Sequence, residues 1–493
     1  MAYLGRTNSF AFMSPWVLFT FVIAYFLLLL GVAFYTSRNS TNETFFTGNK
    51  NSNWLLVAFG MIGTSLSGVT FISVPGTVEF AKFGYFQVVL GYFIGYFVVA
   101  YVLLPLYYRL NLSSIYNYLL QRFGTYAYKT GALFFILSRT LGATLRLYLV
   151  INVLQLFILD ELGLSFHATA IVILVMILLY TFKGGVKTIV FTDTLQTFFM
   201  LLALVVCVYY IMDDLKLTLG SALTELGNSG HTQIFNHDFW DKKFFLKQII
   251  GGAFITIGMT GLDQEMMQKN ISVKTLGGAQ KNMVLFSSVM VLVNFLFLLL
   301  GGLLYLFAQS KGIAVKGDDL FPTIALHYLP GFVSIIFIIG LISALFPSAD
   351  GAITALTSSF CIDILGLQRN KSLNEKQKSN TRMKVHLSIA ILFLLFVYFF
   401  KYLDNKSIIG ILLDIAGYTY GPLLGLFAFG ILTKHAIYDR LAPVICLSAP
   451  LLCYFYQLYA STSGAFHYQI GIEMLLINGA LTFLGLFLIR VKN

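Results

Sequence analysis

Long apolar stretches recur along almost the whole chain and are separated by short polar segments. Most of them are apolar around the full circumference of a helix, which predicts membrane-spanning helices and not the alternating pattern of a β-barrel. The first stretch is long enough to cross a bilayer and too long for a signal-peptide core. The pattern predicts thirteen spans, at residues 16–35, 54–75, 83–108, 129–158, 166–182, 187–212, 246–268, 283–309, 332–363, 385–401, 407–432, 440–459 and 470–490.

Composition agrees with a chain whose solvent is lipid. Hydrophobic residues fill 58% of the 493 positions and charged residues only 11%, whereas a soluble domain carries about 25% charged residues. The net charge of +11 reflects basic loops, because 20 of the 32 Lys and Arg residues lie in segments on one side of the spans and 10 on the other. The positive-inside rule then places the N-terminus outside and the C-terminus in the cytoplasm. The four cysteines lie in apolar segments without metal-binding spacing.

Two predicted spans contain clusters of glycine and hydroxyl residues near their middle. The second span has such a cluster between Gly60 and Gly68, and the seventh has one between Gly251 and Gly261. Close helix packing is the alternative explanation for either cluster alone. The two spans are five apart, so each would open one of two five-helix repeats of opposite topology. Paired interruptions of this kind are typical of transporter binding sites.

Charged residues within the predicted spans are functional candidates, because a charge in a bilayer is expensive. Asp193, Asp350 and Asp414 are acidic, and Arg139 and Arg146 lie seven residues apart, on one face of the fourth span. Pairing of an arginine with an aspartate is the structural alternative.

The surroundings of Asp350 favour a cation. Ser348 offers a hydroxyl, and Pro347 lacks an amide donor and so frees a backbone carbonyl. Hard oxygen ligands suit an alkali cation, whereas a proton on the carboxylate is the competing interpretation.

Several short motifs carry a family resemblance. The segment from Gly184 to Gln196 follows the pattern GG…V.WTD..Q and is the most specific. Phe45 to Lys50 precedes the second span, Gln268-Lys269 stands in place of a glutamine–arginine pair after the seventh, and Gly421 to Gly425 follows a weaker GP..G pattern. Together they resemble the sodium:solute symporter family, which includes bacterial sodium–galactose and sodium–sialic acid transporters.

The resemblance implies an all-α polytopic membrane protein with a leucine-transporter-type inverted repeat of five plus five helices. The expected units are an N-terminal extra helix and loop, the first repeat, an extracellular loop, the second repeat and two C-terminal helices. Their expected ranges are 1–53, 54–212, 213–245, 246–432 and 433–493.

The resemblance also implies two sodium positions. The family's shared site uses the broken second span and the ninth span, and the matching residues are Gly63, Leu66, Ala344, Pro347 and Ser348. The family usually has adjacent hydroxyls at the last two positions, so Pro347 removes one ligand.

A second sodium is expected at Asp193, Ser348 and Asp350. Some family members use the matching aspartate together with hydroxyls farther along the ninth span. Here Asp350 and Gly351 replace those hydroxyls, and a carboxylate is expected to substitute for one of them.

The stretch from Thr64 to Pro75 is similar to the sialic acid members, in which the positions of Ser67 and Thr70 touch the substrate carboxylate. Arg139 and Arg146 flank the position of those members' substrate arginine, one turn to either side. Guanidinium groups bind carboxylates bidentately. The expected substrate residues are Ser67, Thr70, Arg139, Arg146 and Gly261.

The implied function is sodium-coupled uptake of a small polar solute by alternating access, with an acidic sugar or another carboxylate as solute and Na+ as coupling ion. The alternatives are a sodium/neutral sugar symporter, a proton-coupled carrier that uses Asp193 and Asp350, and a transporter-like sensor or channel. No HExxH, Walker or clustered His/Cys motif predicts an enzyme. The expected location is the cell membrane, as in a bacterial inner membrane, without a nucleic-acid partner.

Overall fold

The computed structural model describes residues 13–37, 52–112, 114–370, 372–403, 408–463 and 470–491. Within these ranges the chain is helical, with two isolated β-bridges and no strand. Nine of the described helices are long and apolar enough to cross a membrane, and two further candidate spans are pairs of helices joined at a sharp bend. The predicted all-α polytopic fold class is confirmed.

The membrane helices follow the predicted spans closely. Two unbroken apolar helices, Phe166–Thr181 and Met474–Leu488, are shorter than the nine spanning helices, so the count of thirteen spans stays a prediction. In chain order they are α1 (Pro15–Thr36), α2 (Trp54–Ser65), α3 (Gly68–Gly76), α4 (Tyr85–Arg109), α5 (Thr125–Leu159), α6 (Phe166–Thr181), α7 (Thr188–Asp214), α8 (Phe245–Gly261), α9 (Gln264–Ile271), α10 (Leu276–Lys311), α11 (Gly331–Ile364), α12 (Glu375–Leu403), α13 (Ile409–Leu432), α14 (Asp439–Ala460) and α15 (Met474–Leu488). Short helices Leu219–Asn228 and Leu320–His327 lie between them.

The centre of the bundle is α11, and α1 lies at its edge. Of the most apolar 18 residues of α11, 78% are buried inside the bundle, whereas the corresponding share in α1 is 28%. Both α6 and α7 pack against α11: the ring of Tyr180 lies 6.0 Å from that of Phe346, and Gly340 faces Ala203. Large apolar side chains cover the outer faces, as expected where lipid and not water is the solvent.

Glycines bring α4 and α8 into backbone contact. A Cβ on Gly91 would lie 2.1 Å from the carbonyl oxygen of Ile249, and one on Gly252 would lie 2.4 Å from the carbonyl oxygen of Val88. Small residues at such crossings allow the close approach on which membrane helix packing depends.

We expect Gly91→Ala to lower the thermal unfolding temperature of the purified protein, because the added methyl group forces two backbones apart. Overpacking of this kind costs about 1–3 kcal/mol. Gly31→Ala is the matched control, since nothing lies within 4 Å of a Cβ at that position of α1. Equal unfolding temperatures for the two variants would show that this crossing is not tightly packed.

Candidate functional site

Two membrane spans are broken near their middle. The axes of α2 and α3 differ by 53°, and those of α8 and α9 by 65°. Leu66 and Ser67 separate the first pair, and Leu262 and Asp263 the second. The breaks lie within or directly after the glycine clusters, as the sequence predicts. We call α2 with α3 the first broken span and α8 with α9 the second.

The implied shared sodium position lies where the first broken span contacts α11. Gly63 and Leu66 are at the break, Ala344 and Ser348 are one turn apart on α11, and all four are buried. Ser348 Oγ has no hydrogen-bond partner among the described residues. A buried hydroxyl without a partner needs an explanation, and ligation of a cation supplies one.

Pro347 brings no side-chain oxygen to this position, as the sequence indicates. It has no N–H, so the carbonyl of Ser343, four residues earlier, loses its helical donor. The helix therefore gains a free carbonyl one turn before Ser348.

An open cavity of about 100 Å³ lies between the two broken spans, α4, α5, α10 and α13. Twelve of the twenty described residues that line it have polar side chains, and eight are apolar. Those polar side chains are Thr64, Ser65, Ser67, Thr70, Tyr85, Tyr92, Tyr96, Arg139, Arg146, Thr256, Thr260 and Asn294.

The structure brings together all but one of the predicted substrate residues. Ser67, Thr70, Arg139 and Arg146 line the cavity, but Gly261 is not among its lining residues. Gly261 faces the other side of α8, where its carbonyl accepts a hydrogen bond of 2.7 Å from the Tyr107 hydroxyl. The neighbouring Thr260 lines the wall in its place, because adjacent residues of a helix point in different directions.

The two arginines of α5 differ in their partners. Arg139 donates to the Glu265 carboxylate, and its Nε lies 3.9 Å from Asp263 Oδ2. Arg146 forms no ion pair in the described part of the chain, and its Nε is buried without a hydrogen-bond partner there. Within the described part of the chain, Arg146 is therefore the cavity arginine whose guanidinium can still donate hydrogen bonds to a solute. Arg139 instead fits the structural alternative, in which an arginine pairs with an acidic residue of the bundle.

Asp193 is buried and contacts a lysine. The Lys269 ammonium lies 2.6 Å from Asp193 Oδ2, 2.5 Å from the Thr64 hydroxyl and 3.4 Å from Glu265 Oε1. The Thr64 hydroxyl also donates to Asp193 at 3.1 Å. The sequence-based hypothesis places sodium beside Asp193, whereas the structure places an ammonium group there.

Asp350 occupies the same buried region and forms no ion pair with any residue that the structure describes. Its Oδ2 accepts a hydrogen bond of 2.7 Å from the Tyr180 hydroxyl, and its Oδ1 accepts from the Gly351 amide. The carboxylate of Glu265 packs against Gly351. Asp414, the third acidic candidate, has an exposed side chain on α13 and takes no part in this site.

Sequence reasoning missed Asp263, Glu265 and Tyr180, and it treated Lys269 only as part of a motif. Asp263 caps α9 by accepting from the amides of Glu265 and Met266, and it also accepts from the Tyr420 hydroxyl at 2.8 Å. The available signal was three charges within seven residues at the end of an apolar span. A helix that restarts inside the membrane needs such a cap.

Two of the motifs remain outside this site. Phe45 to Lys50 lies outside the described residues. Gly421 and Gly425 pack against Asn478 and Thr482 on α15, so they serve helix contact.

Comparison with known proteins agrees with this architecture. A Na+-coupled sialic acid symporter, solved in a substrate-bound outward-open state, superposes with a TM-score of 0.82 over 97% of this chain and 98% of that chain, at 18% sequence identity. Mhp1, a nucleobase-cation-symport-1 family transporter in a closed conformation, gives a TM-score of 0.52 at 13% identity over 92% and 95% of the two chains. The five-plus-five helix arrangement is thereby shown.

Curated relatives are sodium-coupled transporters. The sodium/sialic acid symporter SiaT of Proteus mirabilis is 22% identical over 97% of this chain and 96% of its own length. Sodium-coupled monocarboxylate transporter 1 of Mus musculus is 25% identical over 82% of this chain and 66% of its own length. Residues 45–438 match the sodium:solute symporter family, to which this chain therefore belongs.

Proposed function

We propose that this chain takes up a small carboxylate-bearing solute, an acidic sugar in the first instance, together with sodium. The observation that carries the choice of solute is the guanidinium of Arg146 in the cavity wall, which has no ion pair with a described residue and whose Nε has no hydrogen-bond partner among them. A buried cation without a counter-charge is expensive, and a solute carboxylate would pair with it bidentately. The relatives named for sialic acid, monocarboxylates and iodide all carry anions, which supports an anionic solute here.

Ser67 and Thr70 complete the proposed carboxylate site. Ser67 is the residue before the first helical turn of α3, and Thr70 lies in that turn. The amide groups of a helix N-terminus favour an anion, so the break supplies donors opposite Arg146. Three tyrosines of α4 and Asn294 offer hydroxyl and amide partners for the remaining polar groups of a sugar acid.

Sodium couples to this site through the first broken span. Ion ligation by Gly63, Leu66, Ala344 and Ser348 would fasten α2 to α11 and fix the position of Ser67. Loss of the ion to the cytoplasm would release that contact and allow the bundle to rock. Each sodium ion that enters down a potential of 100 mV contributes about 2.3 kcal/mol before any concentration term, and entry of a monovalent carboxylate against the same potential offsets one such contribution.

The proposal includes the orientation of the chain in the membrane and its division into two repeats. The excess of Lys and Arg puts the N-terminus outside and the C-terminus in the cytoplasm of a bacterial inner membrane. Residues 54–212 and 246–432 form the two repeats, each opened by one broken span.

A thermal-shift and uptake panel tests the function. Purified protein is heated with acidic sugars, neutral sugars or monocarboxylates, in sodium or in choline buffer, and proteoliposomes then test uptake of each stabilising solute. We expect stabilisation and uptake by an acidic sugar only with sodium. Preference for a neutral sugar, or equal uptake driven by a proton gradient without sodium, would contradict the proposal.

We expect Ser348→Ala to raise the sodium concentration for half-maximal uptake several-fold. The variant removes the one side-chain oxygen among the proposed ligands, which are otherwise backbone carbonyls, and the fold should tolerate it because the hydroxyl has no hydrogen-bond partner among described residues. Ser343→Ala is the matched control: its hydroxyl donates to Tyr25 at 2.6 Å. An unchanged sodium requirement in Ser348→Ala would remove this residue from the ion site.

A further inference from the structure

The Lys269 ammonium sits in a cage of oxygens contributed by three elements. Thr64 comes from α2, Asp193 from α7, and Glu265 from α9, the helix that also carries the lysine. The lysine side chain is 3% exposed and those of Asp193 and Glu265 are 0% and 2% exposed. Protein oxygens, and not bulk water, therefore surround this cation.

A sodium ion at Asp193 would compete with this ammonium. Both are compact monovalent cations that seek hard oxygen ligands. The shorter Lys269 contacts already take Asp193 Oδ2 and the Thr64 hydroxyl. Among the described residues only Asp193 Oδ1 of this carboxylate is left without a partner. A sodium ion there would lie a few ångströms from the ammonium in a dry interior, where two cations repel strongly.

We infer that Lys269 is a covalently attached cation that takes the place of a second sodium ion at Asp193, so that the chain couples its solute to one sodium. This inference rests on the proposed sodium-coupled function and specifies the number of ions. It replaces the expected second sodium at Asp193, Ser348 and Asp350.

Charge balance leaves room for the one remaining ion. Among the described residues two cations contact three carboxylates, and a fourth carboxylate, that of Asp350, accepts from Tyr180 instead. Arg146 is the next cation and faces the cavity. When Arg146 is counted, three cations stand against four carboxylates, so one negative charge is left for a mobile sodium to balance. The carboxylates are Asp193, Asp263, Glu265 and Asp350, and the two contacting cations are Arg139 and Lys269.

The attached cation also changes what sodium release does. A sodium ion at Asp193 would leave with the transported ion and free α7 from the broken spans. The ammonium does not leave, so the contact between α2, α7 and α9 persists in the sodium-free protein. Only the contact between α2 and α11 then depends on the transported ion.

The test counts sodium ions in the wild type and in Lys269→Met, which keeps the length of the side chain and removes its charge. Sodium chloride alone is titrated into the purified protein, with choline chloride holding the ionic strength, and stabilisation against heat is recorded. At high sodium, the slope of the stabilisation free energy against the natural logarithm of the sodium concentration, divided by RT, gives the number of bound ions. We expect this coefficient to be about one in the wild type and to approach two in Lys269→Met, because Asp193 becomes open to a second ion.

Three control variants separate charge from packing. Lys269→Arg keeps a cation, so its sodium coefficient should stay near one. The coefficient of Lys269→Met combined with Asp193→Asn should return to about one. Lys247→Met removes another buried lysine, outside this network, whose ammonium donates to the Asp241 carbonyl at 3.2 Å; it should leave the coefficient unchanged.

The sodium titration needs no solute, so it stands even where the uptake panel rejects acidic sugars. A wild-type coefficient of about two, or a folded Lys269→Met whose coefficient stays near one, overturns the inference. Where Lys269→Met does not fold, the ratio of radiolabelled sodium to radiolabelled solute taken up by wild-type proteoliposomes decides: one sodium per solute supports the inference, and two overturn it.

Discussion

Arg146→Ala is expected to abolish binding of the acidic solute while the protein stays folded. Removing one partner of a buried charge pair costs about 2–5 kcal/mol of binding free energy, which corresponds to a loss of affinity of roughly 30-fold to several thousand-fold. The fold should survive, because no described carboxylate is within ion-pair distance of Arg146. Solute-induced thermal stabilisation in sodium buffer measures the loss of binding, and the unfolding temperature without solute measures the fold.

Arg146→Lys is the informative companion variant. It keeps the charge and loses the planar fork that matches a carboxylate, so we expect weakened but measurable binding. Sodium stabilisation without solute should be unchanged in both variants, because Arg146 is on the cavity side of the network. Normal affinity in Arg146→Ala would reject the anionic solute and make a neutral sugar the leading candidate.

The helices and their interruptions are readable from the sequence because each depends on local composition. An apolar stretch of sufficient length can only be helical in lipid, and the glycine cluster from Gly60 to Gly68 weakens one such helix at its middle. The break at Leu66 and Ser67 lies inside that cluster. The family motif around Asp193 is likewise a run of neighbouring residues, so it can be read without knowledge of the fold.

The partners of the charged residues were not readable, because they depend on how helices far apart in sequence rotate against each other. Arg139 and Arg146 share one face of α5, yet only Arg139 reaches Glu265, 126 positions away. Periodicity identifies the face and not the partner. The sequence likewise identifies Lys269 only as part of a motif after the seventh span, whereas the break in the second broken span places its ammonium beside Asp193.

The acidic residues of the second broken span were missed for a related reason. Asp263 and Glu265 stand at the end of a predicted apolar span, where charges are ordinary. The restart of the helix as α9 places them inside the bundle instead. Gly261, at the end of α8, faces Tyr107 and not the cavity, so a glycine cluster marks a break without showing which of its residues faces the solute.

Arg139→Ala is expected to destabilise the protein strongly, because Arg139 is the partner of two buried carboxylates. Glu265 and Asp263 would both lose their nearest guanidinium, and breaking a buried pair by removing one member costs about 3–5 kcal/mol. Lys269 would still contact Glu265 at 3.4 Å, but it already neutralises Asp193. We expect a lower unfolding temperature in detergent or loss of folded protein, in contrast to Arg146→Ala.

Removing the carboxylate as well should recover part of the lost stability. In Arg139→Ala combined with Glu265→Gln, no charge is left at the position of the closest pair, so the double variant should unfold at a higher temperature than Arg139→Ala alone. The excess over additivity measures the coupling between the two residues. Arg139→Ala with an unchanged unfolding temperature and no binding of the acidic solute would give the opposite assignment, with Arg139 as the solute ligand and its contact with Glu265 as secondary.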